Sequence, residues 1–132
     1  KLKKLGIDST PDHVYTSAMA TADFVKKHRP GATAYVIGEG GLLMALAEAG
    51  IAITSDDPDF VIIGEGRVLN FEMAEKAHRL IARGARFLST NSDTWCPTDQ
   101  GPRPGCGAIV AMLEAATGKK AYHVGKPNPF MM

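Results

Sequence analysis

Hydrophobic positions switch repeatedly between helical and strand spacing along this chain. Thr16-Ser17 suits a helix start, and Met19, Ala20 and Asp23-Phe24-Val25 keep a helical period to about Lys27 or His28, where Arg29-Pro30-Gly31 ends it. Thr33 to Ile37 reads as a strand, and Gly38-Glu39-Gly40-Gly41 turns into a helix over 42–49, closed by Gly50. A short strand is expected over 51–54 and a turn at Asp56-Asp57-Pro58. The run from Asp59 to Ile63 is continuously apolar after its first residue, the pattern of a strand covered on both faces. Next, a helix is predicted over 70–82, with Phe71, Ala74, Ala77 and Ile81 on one face and Glu72, Glu75, Lys76 and Arg79 on the other. A strand over 86–88 leads into a long loop over 89–104 with no predicted element. A helix over 105–117, stopped by Gly118, and a strand over 121–124 complete the pattern. Helix–strand alternation with short connections predicts an α/β fold, a central and mostly parallel sheet flanked by helices.

Composition narrows the function classes. A chain of 132 residues supports one domain with a core and not two. With 45% hydrophobic and 22% charged residues it matches an ordinary soluble protein. Net charge is +1 and no basic stripe is interleaved with aromatics, so nucleic acid is not an expected partner. No apolar run spans a bilayer and no secretory leader is seen, which points away from a membrane and toward the cytoplasm. Cys96 and Cys106 flank the Pro- and Gly-rich loop; a disulfide between them is open, but the missing export signal favours thiols. Neither they nor His13, His28, His78 and His123 have metal-ligand spacing.

Candidate chemistry collects at strand ends. In 89–97, Asn91 and Asp93 offer hydrogen bonds, Trp95 an apolar plate and Cys96 a thiol, followed by Pro97. A ligand-binding loop and an ordered loop of Asx turns explain these residues equally well. Glu65, Gly66 and Arg67 would line the same edge if the strands before them are neighbours. The Gly38–Gly41 turn lacks both the dinucleotide fingerprint and a P-loop Lys, and reads as a tight strand-to-helix turn. Lys126, in Gly125-Lys126-Pro127, follows the last strand and precedes a helix start with Asn128 as cap and Pro129 in the first turn. A catalytic role for that ammonium needs a nucleophilic carboxylate. The nearest Asp-x-Asp, Asp57-x-Asp59, precedes its strand and lies at the wrong end.

Tyr15-Thr16-Ser17-Ala18-Met19-Ala20-Thr21-Ala22, Asp59-Phe60-Val61-Ile62-Ile63-Gly64, Thr90-Asn91-x-Asp93, Pro104-Gly105-x-Gly107 and Val124-Gly125-Lys126-Pro127-x-Pro129 occur in an order and spacing that resemble the NagD/nitrophenylphosphatase branch of haloacid-dehalogenase-like phosphatases. The resemblance covers nearly the whole chain. It implies that residues 15–120 are the large α/β cap inserted into a Rossmann-like core. Residues 1–14 and 121–132 would be the flanking core segments. It also implies a magnesium-dependent phosphate-monoester hydrolase, with a core Asp as nucleophile and Lys126 as the Lys that stabilises nucleophile and phosphate.

The nucleophile, Ser/Thr and acidic metal motifs of that family are absent here, so the chain alone is expected to bind no magnesium and to be inactive. Asn91, Asp93, Trp95, Cys96 and Pro97 match the family's substrate-specificity loop, and Glu65 and Gly66 a second stretch near substrate. Cys96 stands where pyridoxal phosphatases carry His, which argues against pyridoxal phosphate. The implied partners are a small phosphorylated metabolite, the missing core domain and a second copy bound through the cap. The rival readings are a stand-alone ligand-binding or regulatory module, and a thiol enzyme using Cys96 or Cys106.

Overall fold

The computed structural model describes residues 16–124. Lys126, the segment 1–14 and the last residues of 121–132 lie outside them. Within them, α1 (Ser17–His28), β1 (Thr33–Ile37), α2 (Gly40–Glu48), β2 (Ala52–Ile53), β3 (Phe60–Ile63), α3 (Phe71–Ala82) and β4 (Arg86–Ser89) follow one another. They are succeeded by β5 (Trp95–Thr98), β6 (Gly101–Pro104), α4 (Cys106–Thr117) and β7 (Tyr122–His123). Five strands form one sheet in the order β2-β1-β3-β4-β7, every pair parallel. The expected α/β architecture is therefore present.

Period-two alternation divides the core between the two faces. Phe60 and Ile62 of β3, with Ala34 and Leu88, pack against Ala20, Phe24 and Val25 of α1 and Leu42 and Leu46 of α2. Val61 and Ile63, with Ile37 and Phe87, pack against Ala77, Leu80 and Ile81 of α3 and Val110 and Leu113 of α4. All four residues of β3 are buried because helices cover both sides of a central strand. Local signals fix the helix starts. Thr16 Oγ1 accepts the Met19 N–H at 3.1 Å, and Asn70 Oδ1 accepts the Met73 N–H at 2.8 Å.

The chain steps from β1 to β2 on one side, then returns to place β3 on the other side of β1. The strand order thus reverses between β1 and β3, and a crevice opens at the carboxyl ends of such strands. Asp57 and Asp59 lie at the opposite, amino-terminal edge. There Asp59 Oδ2 accepts from Thr33 N at 2.9 Å and Oδ1 pairs with Arg29 Nε at 3.2 Å. That carboxylate ties β3 to β1 and α1.

The expectation of an element-free loop over 89–104 is corrected: β5 and β6 form an antiparallel hairpin. Its prolines concealed it. Pro97 faces Pro102 and Trp95 faces Pro104, while Cys96 faces Arg103 and Thr98 faces Gly101. Opposed residues in an antiparallel pair alternate between hydrogen-bonded and non-bonded sites. All three prolines occupy the non-bonded set, so a missing N–H costs this ladder nothing.

Candidate functional site

The crevice is built from the segments that leave β1, β3 and β4. Since β3 and β4 are direct neighbours, with Ile63 beside Ser89, the residues after each emerge side by side. Asn91 Nδ2 donates to Glu65 Oε2 at 2.8 Å, so two segments 26 positions apart meet as expected. Asn91 Oδ1 also accepts the Asp93 N–H at 2.9 Å, an Asx turn. The amide orientation is thereby unambiguous, because the carboxylate only accepts and the backbone N–H only donates. One N–H and one oxygen lone pair of Asn91 are left for a ligand. The ligand-loop and Asx-turn readings are therefore compatible.

Gly66 shapes the backbone at this edge. Its φ of +151° suits glycine, and a Cβ there would come within 2.5 Å of Glu39 Cγ. This close approach lets Glu39 Oε2 accept the Arg67 N–H at 2.6 Å. Glu39 thus links the segments after β1 and β3 across the point of strand reversal. The Gly38–Gly41 stretch is a strand-to-helix turn whose Gly40 and Gly41 begin α2.

Beneath Asn91 lies a second link. The fully buried Ser89 hydroxyl donates to Asn91 O at 2.7 Å and lies 2.6 Å from His123 Nδ1. A hydroxyl has one proton, so with Asn91 O as its acceptor, His123 must carry hydrogen on Nδ1 and donate. Strand β7 is thereby tied to the backbone of the candidate loop. Sequence reasoning placed Ser89 and Glu39 within candidate segments at or just beyond a strand's carboxyl end but gave neither these side chains nor His123 a role of its own.

Trp95, Cys96 and Pro97 stand on β5, outside this network. Trp95 is 60% exposed and Cys96 half-buried, and none of the three hydrogen-bonds to Glu65 or Asn91 among the described residues. The hairpin is seated on the start of α4, where Gly105 N donates to Thr94 O at 3.0 Å and Gly107 N to Asp93 O at 2.7 Å. A cleft of about 390 Å³ between Arg67 and the hairpin tip, lined also by Arg103, adjoins the crevice.

Both cysteines are free thiols. Cys106 is buried at the start of α4, its Sγ 3.3 Å from Ile63 O. Burial pushes its pKa up, opposed by hydrogen bonds to the Asn91 and Thr90 backbone and to the Thr90 hydroxyl. A thiol held in its protonated form is a poor nucleophile, which disfavours the thiol-enzyme reading at Cys106. Among the described residues no three His, Cys, Asp or Glu side chains are grouped to hold a metal.

A family described as haloacid dehalogenase-like hydrolase matches residues 1–52. The chain is 46% identical over 132 residues to the dihydroxyacetone phosphatase of Corynebacterium glutamicum, covering all of this chain and 48% of that protein. It is 49% identical over 128 residues to the ribonucleotide monophosphatase NagD of Escherichia coli, covering 96% of this chain and 49% of the relative. The chain thus spans about half the length of these curated relatives. A crystal structure of a thermostable nitrophenylphosphatase from Geobacillus stearothermophilus superposes with a TM-score of 0.94 at 40% identity, covering 99% of this chain and 53% of that one. NagD from E. coli K-12 superposes with a TM-score of 0.88 at 45% identity, covering 98% and 50%. In sequence and in fold the chain is thus similar to about half of a haloacid dehalogenase-like phosphatase of the NagD and nitrophenylphosphatase type.

Proposed function

We propose that residues 15–120 are the substrate-selecting cap of a phosphate-monoester hydrolase, with residues 1–14 and 121–132 belonging to the core that carries out phosphoryl transfer. The carrying observation is that the candidate residues and both ends of the described unit share one edge. Strand β7 runs parallel to β4, so Val124 leaves at the carboxyl edge with Glu65 and Asn91. Helix α1 ends at the opposite edge, where Arg29 meets Asp59. Its twelve residues, about 18 Å long, carry Thr16 back toward the carboxyl edge. A partner body joined through both ends would therefore cover the crevice.

In this reading the substrate is a small organic phosphate. Trp95 packs on the leaving group, while Asn91, Asp93 and Cys96 meet its polar atoms, and Glu65 holds Asn91 in place. Lys126, beyond the described residues, is the ammonium assigned to the phosphate. Closing the cap excludes water and selects the leaving group; it does not supply the nucleophile. The magnesium implied by the family would be held by the rest of the complete protein. The purified 132-residue chain is accordingly expected to release no nitrophenol from 4-nitrophenyl phosphate in the presence of magnesium. Turnover by the purified chain would contradict the division of labour.

A further inference from the structure

We propose that Ser89 and His123 are positioning residues for substrate selection: a hydrogen-bond relay from His123 Nδ1 through Ser89 Oγ to Asn91 O sets the direction in which the Asn91 amide meets the substrate. This role rests on the reading that the crevice selects the leaving group.

Strand β7 grips β4 twice at one point. Ser89 stands beside His123 in the parallel register, and Val124 N donates to Ser89 O at 2.9 Å. The side chains repeat the link, with His123 Nδ1 2.6 Å from Ser89 Oγ and Ser89 Oγ 2.7 Å from Asn91 O. Ser89 and Val124 are fully buried, so neither strand end can shift without disturbing the close-packed core. The hydroxyl accepts from the imidazole and donates to the carbonyl. The buried Thr21, by contrast, spends its hydroxyl on Ser17 O within its own helix, a local bond that joins nothing distant.

Packing does not ask for this arrangement. The end of β4 is buried, and an apolar side chain would fill the same volume with no polar atom to satisfy. A buried hydroxyl joined to a ring 34 positions away costs more to leave unpaired than the bond adds in net stability. What the relay does supply is direction. Asn91 gives one N–H to Glu65 at 2.8 Å and takes the Asp93 N–H on Oδ1 at 2.9 Å. The N–H and lone pair that remain for substrate point where the Asn91 backbone aims them, and Ser89 holds that backbone by its carbonyl. His123 also stands three positions before Lys126 in sequence. The relay therefore joins the loop that reads the leaving group to the segment carrying the ammonium assigned to the phosphate. Misplacement of such groups by about 1 Å is enough to cost a large part of the rate.

The test is a ratio of kcat/KM values in the complete protein. The numerator is the best hydrolysed of glycerol 3-phosphate, ribose 5-phosphate and adenosine 5′-monophosphate, whose hydroxyls an amide can read; the denominator is 4-nitrophenyl phosphate. Ser89→Ala and His123→Ala are expected to change the ratio about threefold to tenfold, mainly through KM of the hydroxylated ester. His123→Asn, which keeps an N–H donor near the place of Nδ1, should restore it to within about twofold. In the Asn91→Ala background His123→Ala adds no further change, because the group it aims is gone. Circular dichroism establishes folding; if Ser89→Ala does not fold, the His123 variants decide. A purely structural role lowers both esters alike and leaves the ratio unmoved, which overturns the relay. So does a ratio shifted equally by His123→Asn and His123→Ala. If Asn91→Ala changes the ratio and the Ser89 and His123 variants do not, the relay alone fails; if Asn91→Ala leaves it unchanged, the selecting role of the crevice fails with it.

Discussion

Gly107→Val is expected to cost about 3 kcal/mol or more and to lower the melting temperature by roughly 10 °C. Gly107 lies in the first turn of α4 against the loop that follows β4. A Cβ there would fall on the Ser92 carbonyl oxygen and 2.7 Å from Asp93 O. Neither atom can retreat freely. Asp93 O accepts the Gly107 N–H, Thr94 O accepts the Gly105 N–H, and Asp93 N is held by Asn91 Oδ1. Relief therefore requires α4 to separate from the Asn91–Thr94 loop, which breaks those bonds and moves the candidate site. Gly41→Val serves as the control, since a Cβ at Gly41 meets nothing within 4 Å. It should stay within about 1 kcal/mol of the parent in thermal unfolding followed by circular dichroism. Equal losses from both variants would show that the contact is not what matters.

The second large effect is Ile62→Ala, expected to destabilise by about 3 kcal/mol, within the 2–5 kcal/mol span of buried Ile-to-Ala changes. Ile62 is fully buried in the central strand, paired with Val36 on one side and Leu88 on the other. Ile53, of the same residue type, lies on the edge strand and is 45% exposed, so Ile53→Ala should cost less than about 1 kcal/mol. The comparison checks strand order by chemical denaturation. Similar midpoints for the two variants would contradict β3 as the centre and β2 as the edge.

Where hydrophobic patterning dominates, the sequence was readable. The unbroken Phe60–Ile63 run could satisfy itself only between two helix layers, and the Phe71/Ala74/Ala77/Ile81 stripe marked a helix. The exposed Phe71, however, shows that the stripe's first member stays in solvent. Boundaries moved by one or two positions where glycine begins a helix, as at Gly40. The β5–β6 hairpin was hidden because Pro97, Pro102 and Pro104 argue against a strand until the register shows each in a site that needs no N–H.

For the site, position at a strand's carboxyl end was enough to pick out Glu65 and Asn91. Which side chains engage them depends on contacts far apart in sequence, such as Glu39 with Arg67 and Ser89 with His123. No local pattern encodes those. Trp95 was legible as unusual chemistry, but its separation from the Glu65–Asn91 bond follows from the hairpin and was not readable beforehand.

The most direct measurement of the central claim is kcat/KM for a panel of small phosphate esters with the complete protein, comparing wild type with Trp95→Ala and Asn91→Ala. If this edge selects the leaving group, the order of preferred esters changes in both variants, with individual values moving about tenfold or more, while 4-nitrophenyl phosphate is still hydrolysed. An unchanged order in both variants, with activities scaled alike for every ester, would place substrate selection elsewhere.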